Sequence, residues 1–387
     1  MSKGLTPSVP VWDFTTIALS VSAADNSIQR RKSADGWTRQ IELHIHLCDP
    51  TIWEPVKRDF QDTLRFLTGD FWKLKFLDEG VCPPSFTQIE LFTEYDEDCI
   101  ALLSGGIDSL AGALDLVSEH RKPLFVSQVV PGDTDTQKKY AQKIQPGGKH
   151  CQWSHKIHRP RDESEAEGST RGRSLIFFAF AALAACGISP STSEPVQLFV
   201  PENGFISLNV PLTPGRLGSF STKTTHPVYL AGIQKIWDTL GFNLKLVSPY
   251  QFKTKGEILN DCSNQELLKE LIAESTSCGK YRYHGWQHCG RCVPCMVRRA
   301  AFNYADFIDN TRKGYKFNKL SLSGQLKGAN DIGAMAIACL KYRQYGLQSL
   351  VGGSLSFASS DKRKEFEGVI KRGLEEIEKL LIGNKVL

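Results

Sequence analysis

Short apolar runs of strand length recur along the middle of the chain: Ile100-Ala101-Leu102-Leu103, Pro123 to Val130, Gln197 to Pro201 and Leu244 to Val247. Such runs read as strands buried on both faces. Between them lie segments of helical period: Leu110 to Leu116, the polar Thr134 to Ile144, and the apolar Leu175 to Cys186. Strands alternating with helices predict an α/β core built on a doubly wound parallel sheet, whose ligands sit beyond the carboxyl ends of the strands.

Other patterns flank this core. Val11 to Val21 reads as a strand, Gln40 to Leu47 as an alternating strand, Trp53 to Leu67 as an amphipathic helix and Phe71 to Phe76 as a further strand. Residues 1–95 are therefore expected to form a separate α+β extension, 96–310 the core domain and 311–387 a helical region. In that last region Ser323 to Tyr342 holds a helical stretch. Asp361 to Leu381 carries Phe366, Val369, Ile370, Leu374, Ile377, Leu380 and Leu381 at helical spacing, a stripe expected to pack on this chain. Residues 145–172, with Arg159-Pro160-Arg161-Asp162-Glu163 in the middle, read as a loop. The Gly-, Pro- and hydroxyl-rich stretch from Glu202 to Tyr229 reads as a binding loop. His44 and His46 share one face of their strand and are read as exposed strand histidines.

Composition narrows the class. The 387 residues are 41% apolar and 23% charged, enough for two or three domains, and the net charge of +5 comes with no Lys/Arg block interleaved with aromatics. Nucleic acid is thus not indicated as a partner. The longest apolar stretch is about a dozen residues where a membrane span needs about 20. Eleven cysteines, an odd number, and no signal-peptide pattern at the start lead us to expect a reduced, cytoplasmic setting.

Chemistry concentrates in Ser104-Gly105-Gly106-Ile107-Asp108-Ser109, which follows the first core strand without a spacer and runs into a helix. Glycines let backbone N–H groups approach an anion, and the positive end of the helix dipole points at the same place. The hydroxyls of Ser104 and Ser109 add donors, and Asp108 can hold Mg²⁺ on a polyphosphate. The loop lacks the Gly-Lys-Ser/Thr ending of kinases and GTPases. It resembles the pyrophosphate loop of the ATP pyrophosphatases. Arg173, at the start of the apolar helix, stands where a cation could meet phosphate, and the polar stretch before it could be a lid over the nucleotide.

Cys278, Cys289, Cys292 and Cys295 form a second constellation, with two overlapping C-x-x-C steps and a fourth thiol ten residues upstream. Four thiolates suit tetrahedral Zn²⁺; an iron–sulfur cluster would use the same ligands. Four protein ligands leave no open position for substrate, so a structural role is expected.

Taken in order, the glycine loop, Thr254-Lys255-Gly256-Glu257-Ile258 and the cysteine cluster running into Arg298-Arg299-Ala300-Ala301-Phe302 resemble the 7-cyano-7-deazaguanine synthase (QueC-like) family over residues 98 to 305. The resemblance implies an ATP-dependent ligase that adenylates 7-carboxy-7-deazaguanine, passes the acyl group to an amine and releases AMP and pyrophosphate. It implies that Ser104, Gly105, Gly106, Asp108 and Ser109 hold the phosphates with Arg173, that Lys255 offsets charge at the transferring centre, and that the four cysteines bind zinc. Glu202, Asn203 and His226 stand in the substrate loop, where the sequence departs from the family's Asp- and Tyr-rich pattern. The long additions at both ends look like the QueC-like component of the Qat anti-phage defence system, which would make companion proteins of that system partners. A tRNA-modifying enzyme with the same loop and free catalytic cysteines, and a non-catalytic nucleotide-binding subunit of a defence complex, are the alternatives.

Overall fold

The computed structural model describes residues 7–83, 96–157, 166–188, 194–210, 223–322 and 331–387. The N-terminal part runs α1 (Val9–Ser27), β1 (Gln40–His46), α2 (Lys57–Thr68) and β2 (Phe71–Leu77). The core then runs β3 (Cys99–Leu102), α3 (Ile107–Ser118), β4 (Pro123–Gln128), α4 (Thr134–Ile144), β5 (His150–Trp153), α5 (Arg173–Ala185), β6 (Val196–Phe199), α6 (Gly204–Ser207), α7 (Pro227–Thr239), β7 (Leu244–Val247), α8 (Lys255–Asp261), α9 (Gln265–Leu271) and α10 (Val293–Tyr304). The chain closes with α11 (Asp331–Tyr345), α12 (Gln348–Val351) and α13 (Ser360–Gly383).

Strands β3 to β7 form one five-stranded parallel sheet in the order β5-β4-β3-β6-β7. Alternation along each strand sends side chains to opposite faces. Ile100, Leu102, Leu124, Val126 and Leu198 pack on one side with α5 and α7, while Cys99, Ala101, Leu103, Phe125 and Phe199 pack on the other with α3, α4, α9 and α10. The expected α/β class and parallel sheet are therefore present.

β1 and β2 pair in parallel, Gln40 opposite Phe71 through His46 opposite Leu77, with α2 as the crossover. This region has no core to itself. Phe14, Phe60, Leu64 and Trp72 share one hydrophobic cluster with Ile100, Leu124, Phe178 and Trp237, so the expected extension is built onto a face of the sheet. Cys48 and Cys82 are joined by a disulfide across the ends of β1 and β2, with Cα atoms 4.9 Å apart, a crosslink that the expectation of a reduced setting did not anticipate.

Two sequence expectations fail locally. Val11 to Val21 is helix, not strand. Its Val, Thr and Ile content favours a strand, yet Val11, Phe14, Ile17, Ala18 and Val21 fall on one helical face and bury it along α5, so packing overrides propensity. Within 145–172, where only loop was expected, β5 adds a strand to the sheet edge; of its four residues only Cys151 is fully buried, leaving no apolar run to read. The segments 159–163 and 211–222 of the expected loops lie outside the described residues.

The C-terminal stripe is buried as expected. Phe366, Val369, Ile370, Leu374, Ile377, Leu380 and Leu381 pack with Phe205, Met296, Ala300 and Met335. Among the described residues no helix is long and apolar enough to cross a membrane.

Candidate functional site

β3 lies at the centre of the sheet, and the chain leaves it toward β4 on one side and β6 on the other. Where strand order reverses, the loops after two neighbouring strands part and open a crevice at their carboxyl ends. Here those loops are 103–106, after β3, and 200–203, after β6.

The glycine loop turns sharply. Gly105 has φ +91°, a conformation that glycine adopts without strain, and a Cβ there would sit 3.4 Å from the Asp133 side chain. Ser104 Oγ donates to Ser109 Oγ at 3.1 Å and accepts the Gly106 N–H at 3.3 Å; Ser109 Oγ lies 3.0 Å from the Gly106 carbonyl. From the flank, Gln137 Nε2 donates to the Ser104 carbonyl at 3.1 Å and the Thr276 N–H to the Gly105 carbonyl at 3.0 Å. Both loop hydroxyls thus face the start of α3, whose twelve residues aim a positive dipole end at the crevice.

Asp108, in the first turn of α3, is buried and fully engaged. Its Oδ1 accepts Lys255 Nζ at 2.5 Å, and its Oδ2 accepts Asn203 Nδ2 at 2.7 Å and the Asn203 N–H at 3.1 Å. Burial alone would raise its pKa; Lys255 and the bonds from Glu202 and Asn203 hold the carboxyl below the usual range. Glu202 goes the other way. Burial, then the Asp108 charge beside it, push its carboxyl well above the usual range, and its Oε1 accepts Asn203 Nδ2 at 3.1 Å. Asn203 also caps α6 through Oδ1, which fixes the amide's orientation.

A cleft of about 350 Å³ opens beside this group, lined by Ser104, Ser109, Arg171, Arg173, Glu202, Thr224 and Thr225 among others, while Asp108, Asn203 and Lys255 lie behind its lining. Arg173 Nε donates to Gln128 Oε1 at 3.0 Å. Arg171 opens the same Arg171-Gly172-Arg173-Ser174 turn, where the sequence places a cation near phosphate. Its backbone N–H and that of Gly172 each donate to Asp25 Oδ2 at 2.6 Å, and its Nη1 donates to the Thr68 carbonyl at 3.2 Å, so α1 and α2 of the N-terminal part hold the Arg171 wall of the cleft from behind. His226 does not line it. That residue caps α7, with Nδ1 accepting the Val228 N–H at 3.2 Å, and its ring sits between Phe66 and Phe357. His44 and His46 lie on an exposed strand, bonded to Glu42 and to the Asp78 carbonyl.

The four cysteines meet in one buried cluster, their sulfurs all within 4.8 Å of one another. Cys278 and Cys292 are 3.9 Å apart, as are Cys289 and Cys295. Four sulfurs about 2.3 Å from one ion at the corners of a tetrahedron stand about 3.8 Å apart, so the cluster is sized for a single metal such as zinc. Backbone N–H groups of Lys280, Cys289 and Cys292 donate to the sulfurs at 3.3 Å, the outer bonds that steady thiolate ligands.

This cluster is wired to the glycine loop. Buried Arg298, one turn beyond Cys295, donates to Ser275 Oγ at 2.6 Å and to the Ser275 carbonyl at 3.2 Å, and the next residue, Thr276, holds the Gly105 carbonyl. Ser277 N–H donates to His288 Nε2 at 3.1 Å. Gly132, beside Asp133, packs so tightly under Trp286 that a Cβ would meet the ring at 2.5 Å.

No protein-family model matches the chain, and no curated protein is significantly similar to it.

Proposed function

We propose that this protein is an ATP-dependent ligase of the 7-cyano-7-deazaguanine synthase type. It adenylates a 7-deazaguanine carboxylate and transfers the acyl group to an amine, ammonia or an amine of a companion protein, in a Qat-type anti-phage defence system. The observation that carries the reading is the placement of Ser104, Ser109 and the Asp108–Lys255 pair around one helix N-terminus at the reversal point of a parallel sheet. A ligand crevice is expected at such a reversal point, which supports a pyrophosphate loop there.

In the reaction a carboxylate oxygen attacks the α-phosphorus of ATP and pyrophosphate leaves. The amine then attacks the acyl carbon and AMP leaves. Ser104, Gly106 and Ser109 supply fixed donors for the phosphates, and Lys255, buried beside the loop, offsets charge that develops as pyrophosphate departs. Arg173 and Arg171 present cations to the cleft. Asp108 and Glu202 bring two carboxyl groups side by side at the loop, a donor set that could hold Mg²⁺. A bound Mg²⁺ would neutralise the polyphosphate. Zinc on the four cysteines would hold the segment that braces Gly105, and the mutual closeness of those sulfurs speaks against a tRNA-modifying role that needs free cysteines.

The test is a product assay with ATP, Mg²⁺, 7-carboxy-7-deazaguanine and an ammonium salt, followed by mass spectrometry. AMP, pyrophosphate and an amide or nitrile of the deazaguanine are expected. ADP with phosphate, or bound ATP that is never turned over, refutes the reading. Adding a candidate companion protein and weighing it intact reads the transfer to protein.

A further inference from the structure

Lys255 sits in the first turn of α8, and that turn is gripped from outside the core by two side chains of α13, one turn apart. Arg372 Nε donates to Glu257 Oε1 at 2.5 Å, and its Nη2 donates to the Phe252 carbonyl at 2.8 Å and to Glu257 Oε2 at 3.3 Å. Glu376, buried in the interface, takes the Thr254 hydroxyl and the Gly256 N–H. Thr254 and Glu257 close a capping box between them, with the Glu257 N–H on Thr254 Oγ at 3.1 Å and the Thr254 N–H on Glu257 Oε2 at 2.8 Å. Every residue from Thr254 to Glu257 is therefore fixed by its neighbours or by α13, and Lys255 is the one that reaches inward to Asp108. The same helix meets the other side of the site, since Gly373 packs so closely on Phe205 of α6 that a Cβ would fall 2.3 Å from the ring.

We propose that Glu376 is a positioning residue for Lys255: its carboxylate fixes the first turn of α8 and so holds Lys255 Nζ on Asp108 at the reaction centre. This rests on the ligase reading only for what Lys255 does there. The carboxylate works as a double acceptor at a helix N-terminus, where negative charge is favoured. Once protonated it can no longer accept from both Thr254 and Gly256, and the turn loosens. Burial pushes this carboxyl up to about 7; the bond from Thr254 opposes that, the charge of Glu257 adds to it, and Gly256 and Arg372 oppose it again. Glu257 and Arg372 are the charged groups that face it, with the Tyr304 ring of α10 against Gly256. The grip is thus fullest well above pH 7 and weakens as pH falls through it.

The test compares wild type, Glu376→Gln and Glu376→Asp in two ways. In the AMP assay, Glu376→Gln should lower kcat about tenfold, the scale of one lost charged hydrogen bond, with KM for ATP unchanged. It should also erase the wild-type rise in kcat through pH 7, and Glu376→Asp should restore part of both. Independently of activity, brief acetylation followed by peptide mass spectrometry reads the exposure of Lys255 against Lys235, whose side chain is 65% exposed. Glu376→Gln should speed labelling of Lys255 about tenfold relative to Lys235. Unchanged kcat, pH profile and labelling overturn the proposal, as does a rise in labelling shared by all lysines, which marks general unfolding. Absence of AMP from the wild type together with the labelling change defeats the ligase reading and leaves the positioning role standing.

Discussion

Lys255 Nζ and Asp108 Oδ1 are 2.5 Å apart, in the first turns of two helices whose sequence positions differ by 147 residues, and both side chains are buried. One salt bridge therefore ties the glycine loop to the helix that follows the last strand of the sheet. Its energetics decide how the site can be probed.

A buried charge that loses its partner is left uncompensated, at a cost of about 3–5 kcal/mol. Asp108→Ala should abolish AMP formation and also destabilise the fold by about 3 kcal/mol. Lys255→Met in the same chain should recover much of that stability without recovering activity, because no uncompensated charge remains. Urea unfolding of the two single variants and the double variant checks this; costs that simply add would mean the two groups do not interact.

Metal is the second expectation. The cysteine cluster should hold about one zinc per chain, and Cys292→Ser should lose both metal and stability, since binding at such sites is folding energy. Because Arg298 and Thr276 connect the cluster to Gly105, removing the metal with a chelator should weaken ATP binding as well. Elemental analysis alongside a nucleotide titration reads both, and chelated protein that binds ATP as tightly as before would break the connection.

Which parts of this site can be read from sequence follows from how local they are. The residues of the glycine loop, and those of the C-x-x-C steps, each lie within a few positions of one another, so spacing reveals each motif, and the α13 stripe is legible because one helix face is uniformly apolar. Asp25 and Arg171 are 146 residues apart, and nothing near either one marks the contact. Glu376 is one acidic residue among several on a charged helix, and only the fold puts it beside Thr254. His226 was drawn into the substrate loop by its neighbours Thr224 and Thr225, which do line the cleft, while its own ring turns away to cap α7.

His226 makes stability depend on pH. Burial, then the charge of Lys223, lower its pKa to about 4, against about 6.5 unfolded, and its Nδ1 must stay unprotonated to accept the Val228 N–H. A histidine whose folded pKa is depressed contributes stability that is present above the unfolded pKa. That stability is lost as pH falls through 6.5 toward 4, at about 1.4 kcal/mol per pH unit. His226→Asn keeps a capping oxygen but does not titrate, so its stability curve should be flatter than wild type over that range. Equal slopes in denaturant titrations at pH 4.5, 5.5 and 6.5 would contradict this.

The last expectation concerns the N-terminal part. Asp25 Oδ2 receives the Arg171 and Gly172 N–H groups, and its Oδ1 takes Arg39 Nη2 at 2.5 Å. Asp70 accepts both Arg30, through two bonds at 2.8 and 2.9 Å, and Arg39 at 2.6 Å, all inside the protein. Asp70→Asn would leave two buried guanidinium groups short of charge and should cost about 3–5 kcal/mol. Asp25→Asn should cost a similar amount and, in addition, shift the Arg171 wall of the cleft, lowering ATP affinity where Asp70→Asn leaves it closer to wild type. Among the described residues, deleting 1–95 removes 16 of the 41 buried residues of a shared hydrophobic cluster, exposing Phe178, Trp237 and their neighbours, so the remaining core should aggregate rather than fold. A shortened chain that stays monomeric, unfolds cooperatively and still binds ATP would show that the N-terminal part is dispensable to the core, and the cleft wall would then have to be held by something other than Asp25.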